Sequence, residues 1–167
     1  MLKKHEESKA IELLKQNKII ILPTDTIYGL SAIYSLENEQ KINLIKNADI
    51  NKKLIILISS LDQLNDLKII DDHDKNYLVL DQPTTVIFAT SNNLTIAVRL
   101  VKRADIKNII NQVGPIISTS VNLHGSEPLK KYQDLKEFNK KITLFFDTEL
   151  NASPSKIYDS INKKYIR

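Results

Sequence analysis

The 167-residue chain has no cysteine and no tryptophan. Without cysteine there is no disulfide, no thiol nucleophile and no thiolate metal site. The three histidines, His5, His73 and His124, are too scattered to suggest a zinc site. Glycine occurs three times and proline five, and no Gly/Ser linker is visible. Neither a P-loop nor a dinucleotide-binding fingerprint occurs, so any nucleotide site must be built differently. Arginine is scarce too: lysine supplies 21 of the 24 basic residues, leaving Arg99, Arg103 and Arg167. An arginine in such a background has more reason to be there, because lysine cannot make planar two-pronged contacts. No apolar run approaches the roughly 20 residues of a bilayer span. The charged start, MLKKHEESK, lacks the apolar core of a secretory signal. The expected location is the cytoplasm.

What is present suits a folded domain. Hydrophobic residues make up 42% and charged residues 26%, a globular balance. The length fits one domain over residues 1–167. The net charge of +4 and the pI of about 9.1 are a mild excess, suited to an anionic substrate or a weak nucleic-acid contact. Apolar periodicity predicts helices over 5–17, 37–47, 105–113 and 134–138. Shorter helices are expected from a capping box at Ser60 and Gln63 to about Leu67, and over 73–80. Strands are expected at 18–22, 54–59, 84–89, 94–100, 115–118 and 143–146, with weaker candidates at 155–159 and 164–167. Residues 24–34 read as a loop, and Ser91-Asn92-Asn93 as the turn of a hairpin. The early alternation of strand and helix, with a hairpin in the middle, implies an α/β (α+β) domain with a mixed parallel and antiparallel sheet.

Four polar clusters stand at strand ends. Residues 23–30, PTDTIYGL, place hydroxyls, a carboxylate and a phenol just after a strand, as a binding loop or as an ordinary turn capped by Asp25. In 95–99, TIAVR, alternation puts Thr95, Ala97 and Arg99 on one face. Arg99 there either grips a carboxylate or phosphate, or reaches solvent from an edge strand. In 116–125 a buried strand runs into Ser118-Thr119-Ser120 and Asn122, a set of hydrogen-bonding groups for a polar ligand. His124 reads as a loop histidine rather than a triad member. Lys46, Lys52 and Lys53 form a basic stretch, either a solvated loop or a polyphosphate contact.

Taken in order, PTDTIYGL, the lysine-containing loop, TIAVR, STSVN (118–122) and the late Pro154-Ser155-x-Ile157-x-Asp159 resemble the YrdC-like family of threonylcarbamoyl-AMP synthases in its short, single-domain form. The resemblance implies a twisted mixed sheet around a positive cavity. It implies L-threonine, bicarbonate or CO2, and ATP with Mg2+ as substrates, and threonylcarbamoyl-AMP and pyrophosphate as products. The product would be handed to a threonylcarbamoyl transferase complex for the N6-threonylcarbamoyladenosine modification of tRNA, with a weak tRNA contact and no membrane. By motif, Thr24, Thr26, Tyr28, Arg99, Ser118 and Ser155 would bind threonine, and Lys46, Lys52, Thr95, Ser120, Asn122 and Arg167 would face ATP. No side-chain nucleophile or protein metal ligand is implied; Lys46, Thr26 and Arg99 would position the reactants. The family's Lys-x-Arg pair is Lys46-Asn47-Ala48 here, so Lys52 or Lys53 is expected to replace the missing charge. Gln82 and Leu57 also depart from the family's usual glycine and histidine. An RNA-binding module with weak or no catalysis is the alternative, and a carbamoyl-transfer or hydrolase domain a third. Aromatic residues at 6% and the lack of an RNA-recognition motif argue against the RNA module; the lack of cysteine and of a second domain argues against the third reading.

Overall fold

A computed structural model describes residues 1–167. Nine strands form one sheet: β1 (Ile20–Pro23), β2 (Tyr28–Ile33), β3 (Ile55–Ile58), β4 (Thr84–Ala89), β5 (Thr95–Leu100), β6 (Ile116–Ser120), β7 (Thr143–Leu144), β8 (Lys156–Asp159) and β9 (Lys164–Tyr165). Their spatial order is β7-β1-β2-β6-β3-β5-β4-β8-β9. The β1–β7, β3–β5 and β4–β8 pairs are parallel and the other five antiparallel. The expected mixed sheet is therefore present.

The period of two sorts each strand between two cores. Ile21, Tyr28, Leu30, Ala32, Ile56, Ile58, Val86, Phe88, Val98 and Ile117 face one layer. There they meet Ile42 of helix α2 (Leu36–Ile45) and Leu135 of helix α4 (Tyr132–Phe138). Leu64, Leu67 and Leu78 of two 3₁₀ segments, Leu61–Leu67 and His73–Val79, complete that layer. Ile20, Leu22, Leu57 and Ile116 face the other way, against Leu14 of α1 (Lys4–Lys15) and Ile106, Ile109 and Ile110 of α3 (Ala104–Val113). On this second face the strands turn polar away from α1 and α3. β6 passes from Ile116 to Ser118 and Ser120, and β2 from Ile33 back to Ser31 and Gly29. The helices cover the apolar part, and the hydroxyl-rich remainder forms the wall of a cavity.

Several expectations shift. Residues 24–34 are not all loop: β2 occupies Tyr28–Ile33 and is buried along most of its length. The Ser60 side chain makes no cap; Gln63 Oε1 instead accepts from the amide and hydroxyl of Ser59 at 2.8 and 3.1 Å. The first helix ends at Lys15, followed by Asn17 at φ 59°. The 91–93 turn does join β4 to β5. No helix is long and apolar enough to cross a membrane.

Candidate active site

A cavity of about 290 Å³ opens on the polar half of the second face. β2 and the loop before it supply Thr24, Thr26, Tyr28 and Gly29; β6 supplies Ser118 and Ser120; β5 supplies Arg99. Lys52 and Lys53 come from the segment before β3, and Ser155 and Arg167 from the C-terminal hairpin. The lining thus holds four cationic side chains and no Asp or Glu. That is an anion site by charge alone.

Arg99 is its deepest cation, 5% exposed. Its one side-chain hydrogen bond runs from Nη1 to Thr26 Oγ1 at 3.3 Å, and its buried Nε has no partner. Burial lowers its pKa from the ordinary arginine value; nearby Asp25 opposes that shift and Arg167 adds to it. A buried guanidinium with unused donors is costly unless an anion completes it. Thr26 is itself held by Thr24, whose Oγ1 lies 3.3 Å from Thr26 Oγ1 and donates to the Ile27 carbonyl at 2.7 Å. Across the cavity the Ser155 hydroxyl is buried 2.9 Å from that of Thr85. Arg167 Nε donates to the Ser155 carbonyl at 3.1 Å, which ties the exposed chain end to the cavity wall.

Four expected contacts are arranged differently. Tyr28 lines the cavity, yet its hydroxyl donates to the Thr148 carbonyl at 2.7 Å and accepts from Asp147 N at 3.1 Å, and its ring stacks on Phe146. Lys46 lies behind the wall, 3% exposed. Its Nζ donates to the Ser120 carbonyl, and to the carbonyl and Oδ1 of Asn122 at 2.9 and 2.8 Å. No carboxylate faces it, and desolvation with the nearby Lys52 charge lowers its pKa to about 8. Asn122 is likewise withdrawn: its Oδ1 accepts from Ser120 Oγ at 2.5 Å and its amide donates to the Leu123 and Ser126 carbonyls. Thr95 is exposed in a neighbouring groove with Tyr34 and Lys53, because four residues along a strand separate it from Arg99 by about 13 Å. Lys52 and Lys53 do line the cavity, whereas Ala48 does not. Leu57 is buried in the apolar core, so the departure there leaves the cavity untouched.

Two supports go beyond the sequence reading, which has Asp25 capping amides of its own turn and gives Arg103 no partner. Asp25 Oδ1 accepts from the backbone amides of Lys102 and Arg103 at 2.9 and 2.8 Å. The Arg103 side chain bridges Asp105 at 3.1 and 2.6 Å and Asp147 at 2.8 Å. Arg103 was marked only by the scarcity of arginine.

Known proteins resemble this chain over nearly all its length. The Sua5/yciO/yrdC family model, described as telomere recombination, matches residues 12–167. A threonylcarbamoyl-AMP synthase of Wigglesworthia glossinidia brevipalpis is 30% identical, over 95% of this chain and 91% of that protein. One from Pseudoalteromonas translucida is 31% identical, over 95% of each. The fold matches that of P. abyssi Sua5, solved in complex with L-threonine, with a TM-score of 0.81 at 22% identity. That match covers 96% of this chain and 52% of Sua5, so the chain spans about half the length of that protein. With a family model covering the whole cavity and most of both cores, the chain belongs to the Sua5/YciO/YrdC family.

Proposed function

We propose that this protein is an enzyme, a threonylcarbamoyl-AMP synthase of the nucleotidyltransferase type, which joins L-threonine, bicarbonate or CO2, and ATP in the cavity. The observation that carries the reading is Arg99, a buried guanidinium with an unpartnered Nε in a cavity lined by hydroxyls and cations without a carboxylate. Relatives about 30% identical over 95% of the chain bear that enzyme's name, which supports the same reading.

Arg99 takes the carboxylate of threonine, with Thr26 beside it and Ser118 and Ser155 on the facing walls. Lys52, Lys53 and Arg167 meet the phosphates nearer solvent, with Ser120 beside them. The free threonine amine attacks the carbon of CO2, forming a C–N bond and releasing a proton to give a carbamate. A carbamate oxygen then attacks the α-phosphorus, and the bond to the pyrophosphate oxygen breaks. No lining side chain is needed as nucleophile; the protein holds two anions together and balances their charge. Lys46 acts as a strut beneath Ser120 rather than as a phosphate ligand, which leaves the phosphate charge to Lys52 and Lys53. The lining offers Mg2+ no carboxylate, so Mg2+ would enter as the counter-ion that ATP brings. The product passes to a threonylcarbamoyl transferase complex for tRNA modification in the cytoplasm, and the net charge of +4 suits a weak tRNA contact.

The purified protein should release pyrophosphate from ATP only when both L-threonine and bicarbonate are present. Release indifferent to threonine would overturn the proposal.

A further inference from the structure

Behind the cavity wall lies a serine that lines nothing. Ser31 of β2 is fully buried and pairs across the sheet with Ser118 of β6. Its hydroxyl donates to Ser118 Oγ at 3.1 Å, with the Gly29 carbonyl a more distant acceptor at 3.3 Å. A hydroxyl that accepts one hydrogen bond keeps its own proton for another partner. Ser118 is therefore set up to donate into the cavity, the polarity an anionic oxygen requires.

Gly29 makes that placement possible. Its φ is not in the left-handed region, unlike those of Gly114 and Gly125, so its backbone does not call for glycine. The space does: a Cβ at Gly29 would stand 2.1 Å from Ser118 Oγ, while its other neighbours, Thr119 O and Ser118 Cβ, would be at 3.4 and 3.5 Å. The conflict is with one oxygen atom. Ser118 leans over the bare Cα of Gly29, and Ser31 holds it there.

We propose that Gly29 and Ser31 are positioning residues that fix the Ser118 hydroxyl as a hydrogen-bond donor toward the amino-acid ligand's anionic oxygen. The ligand's identity rests on the function proposed above; the hydroxyl geometry does not.

The test combines thermal unfolding with calorimetric titration of L-threonine into wild type, Gly29→Ala, Ser31→Ala, Ser118→Ala and the doubles Gly29→Ala/Ser118→Ala and Ser31→Ala/Ser118→Ala. Ser118→Ala should weaken threonine binding about tenfold, as loss of a hydrogen bond to a charged group does. Gly29→Ala should match it, and Ser31→Ala should weaken binding about threefold. Neither should weaken binding further once Ser118 is alanine. Gly29→Ala alone should lower the melting temperature, and Ser118→Ala should restore most of that loss by removing the clashing oxygen. If Gly29→Ala does not fold alone, its recovery in the double variant supports the proposal, and failure of both overturns it. Factors that multiply in the double variants, or an unchanged threonine affinity in folded Gly29→Ala or Ser31→Ala, would also overturn it. Wild type that binds no threonine would defeat the functional reading, while the melting-temperature rescue still decides where Ser118 sits.

Discussion

Arg99 and Lys46 are both buried cations, and their surroundings give them opposite roles. Arg99 lines the cavity with one side-chain hydrogen bond and an unpartnered Nε, whereas Lys46 has three oxygen acceptors and does not line it. Removing Arg99 removes a desolvated charge held by one hydrogen bond, so Arg99→Ala should fold with an undiminished melting temperature. It should lose about 2–3 kcal/mol of threonine binding, and Arg99→Lys should not restore it, since an ammonium lacks the fork. Calorimetry and thermal unfolding of both variants check this; unchanged threonine affinity would remove the assigned role. For Lys46 the sign follows from linkage. Its folded pKa, about 8, lies below the ordinary lysine value. Between those values the unfolded chain holds more protons, so this group's contribution to stability rises with pH over that window and levels off below it. The stability difference between wild type and Lys46→Met, from urea unfolding at pH 7 and pH 10, should therefore shift in favour of wild type at the higher pH. A difference constant with pH would contradict the caged ammonium.

At the scale of elements, the loop before β2 is held from two sides by the segment that opens α3. Arg103 presents its amide to Asp25, and its guanidinium to Asp147, whose own amide reaches the Tyr28 hydroxyl. Burial pushes the Asp105 carboxyl up, but hydrogen bonds from Arg103 and Leu2 N outweigh it and hold the carboxyl below the usual range. Asp147 is also held low, first by the N-terminal ammonium and then by Arg103. Such depressed carboxylates stabilise the fold above their unfolded pKa, and that contribution is lost as pH falls through the folded values. Arg103→Ala, which leaves buried Asp105 with backbone amides alone and Asp147 with only the N-terminal ammonium, should cost about 3 kcal/mol, read by urea unfolding at pH 7. The cost should shrink below pH 4; a loss under 1 kcal/mol at pH 7 would contradict the latch. Most elements were legible in the sequence, because apolar alternation and helical periodicity are local. β2 was not, because Gly29 and Ser31 interrupt its alternation where the cavity needs space and hydroxyls. The strut role of Lys46 was hidden for another reason: its acceptors are 74 and 76 residues away. Thr95 shares a strand face with Arg99, but face alone does not say how far along the strand a cavity extends.

For the whole molecule, the sheet divides the work between its faces. One face is apolar along most strands and carries much of the packing; the other is covered by α1 and α3 at one end and left polar at the other. Segments far apart in sequence, the loop before β2, strands β5 and β6 and the approach to β8, thereby bring hydroxyls and an arginine to one cavity of cationic character. In the proposed reaction this cavity joins threonine, the bicarbonate carbon and the AMP part of ATP into one adenylate and releases pyrophosphate. The most direct measurement is incubation with ATP, labelled bicarbonate and L-threonine, followed by chromatography and mass spectrometry of the nucleotide fraction. One adenylate carrying both the threonine and the bicarbonate label, formed by wild type and strongly reduced with Arg99→Ala, is the predicted result. ATP turnover without any adenylate containing both threonine and the bicarbonate label would contradict that reaction.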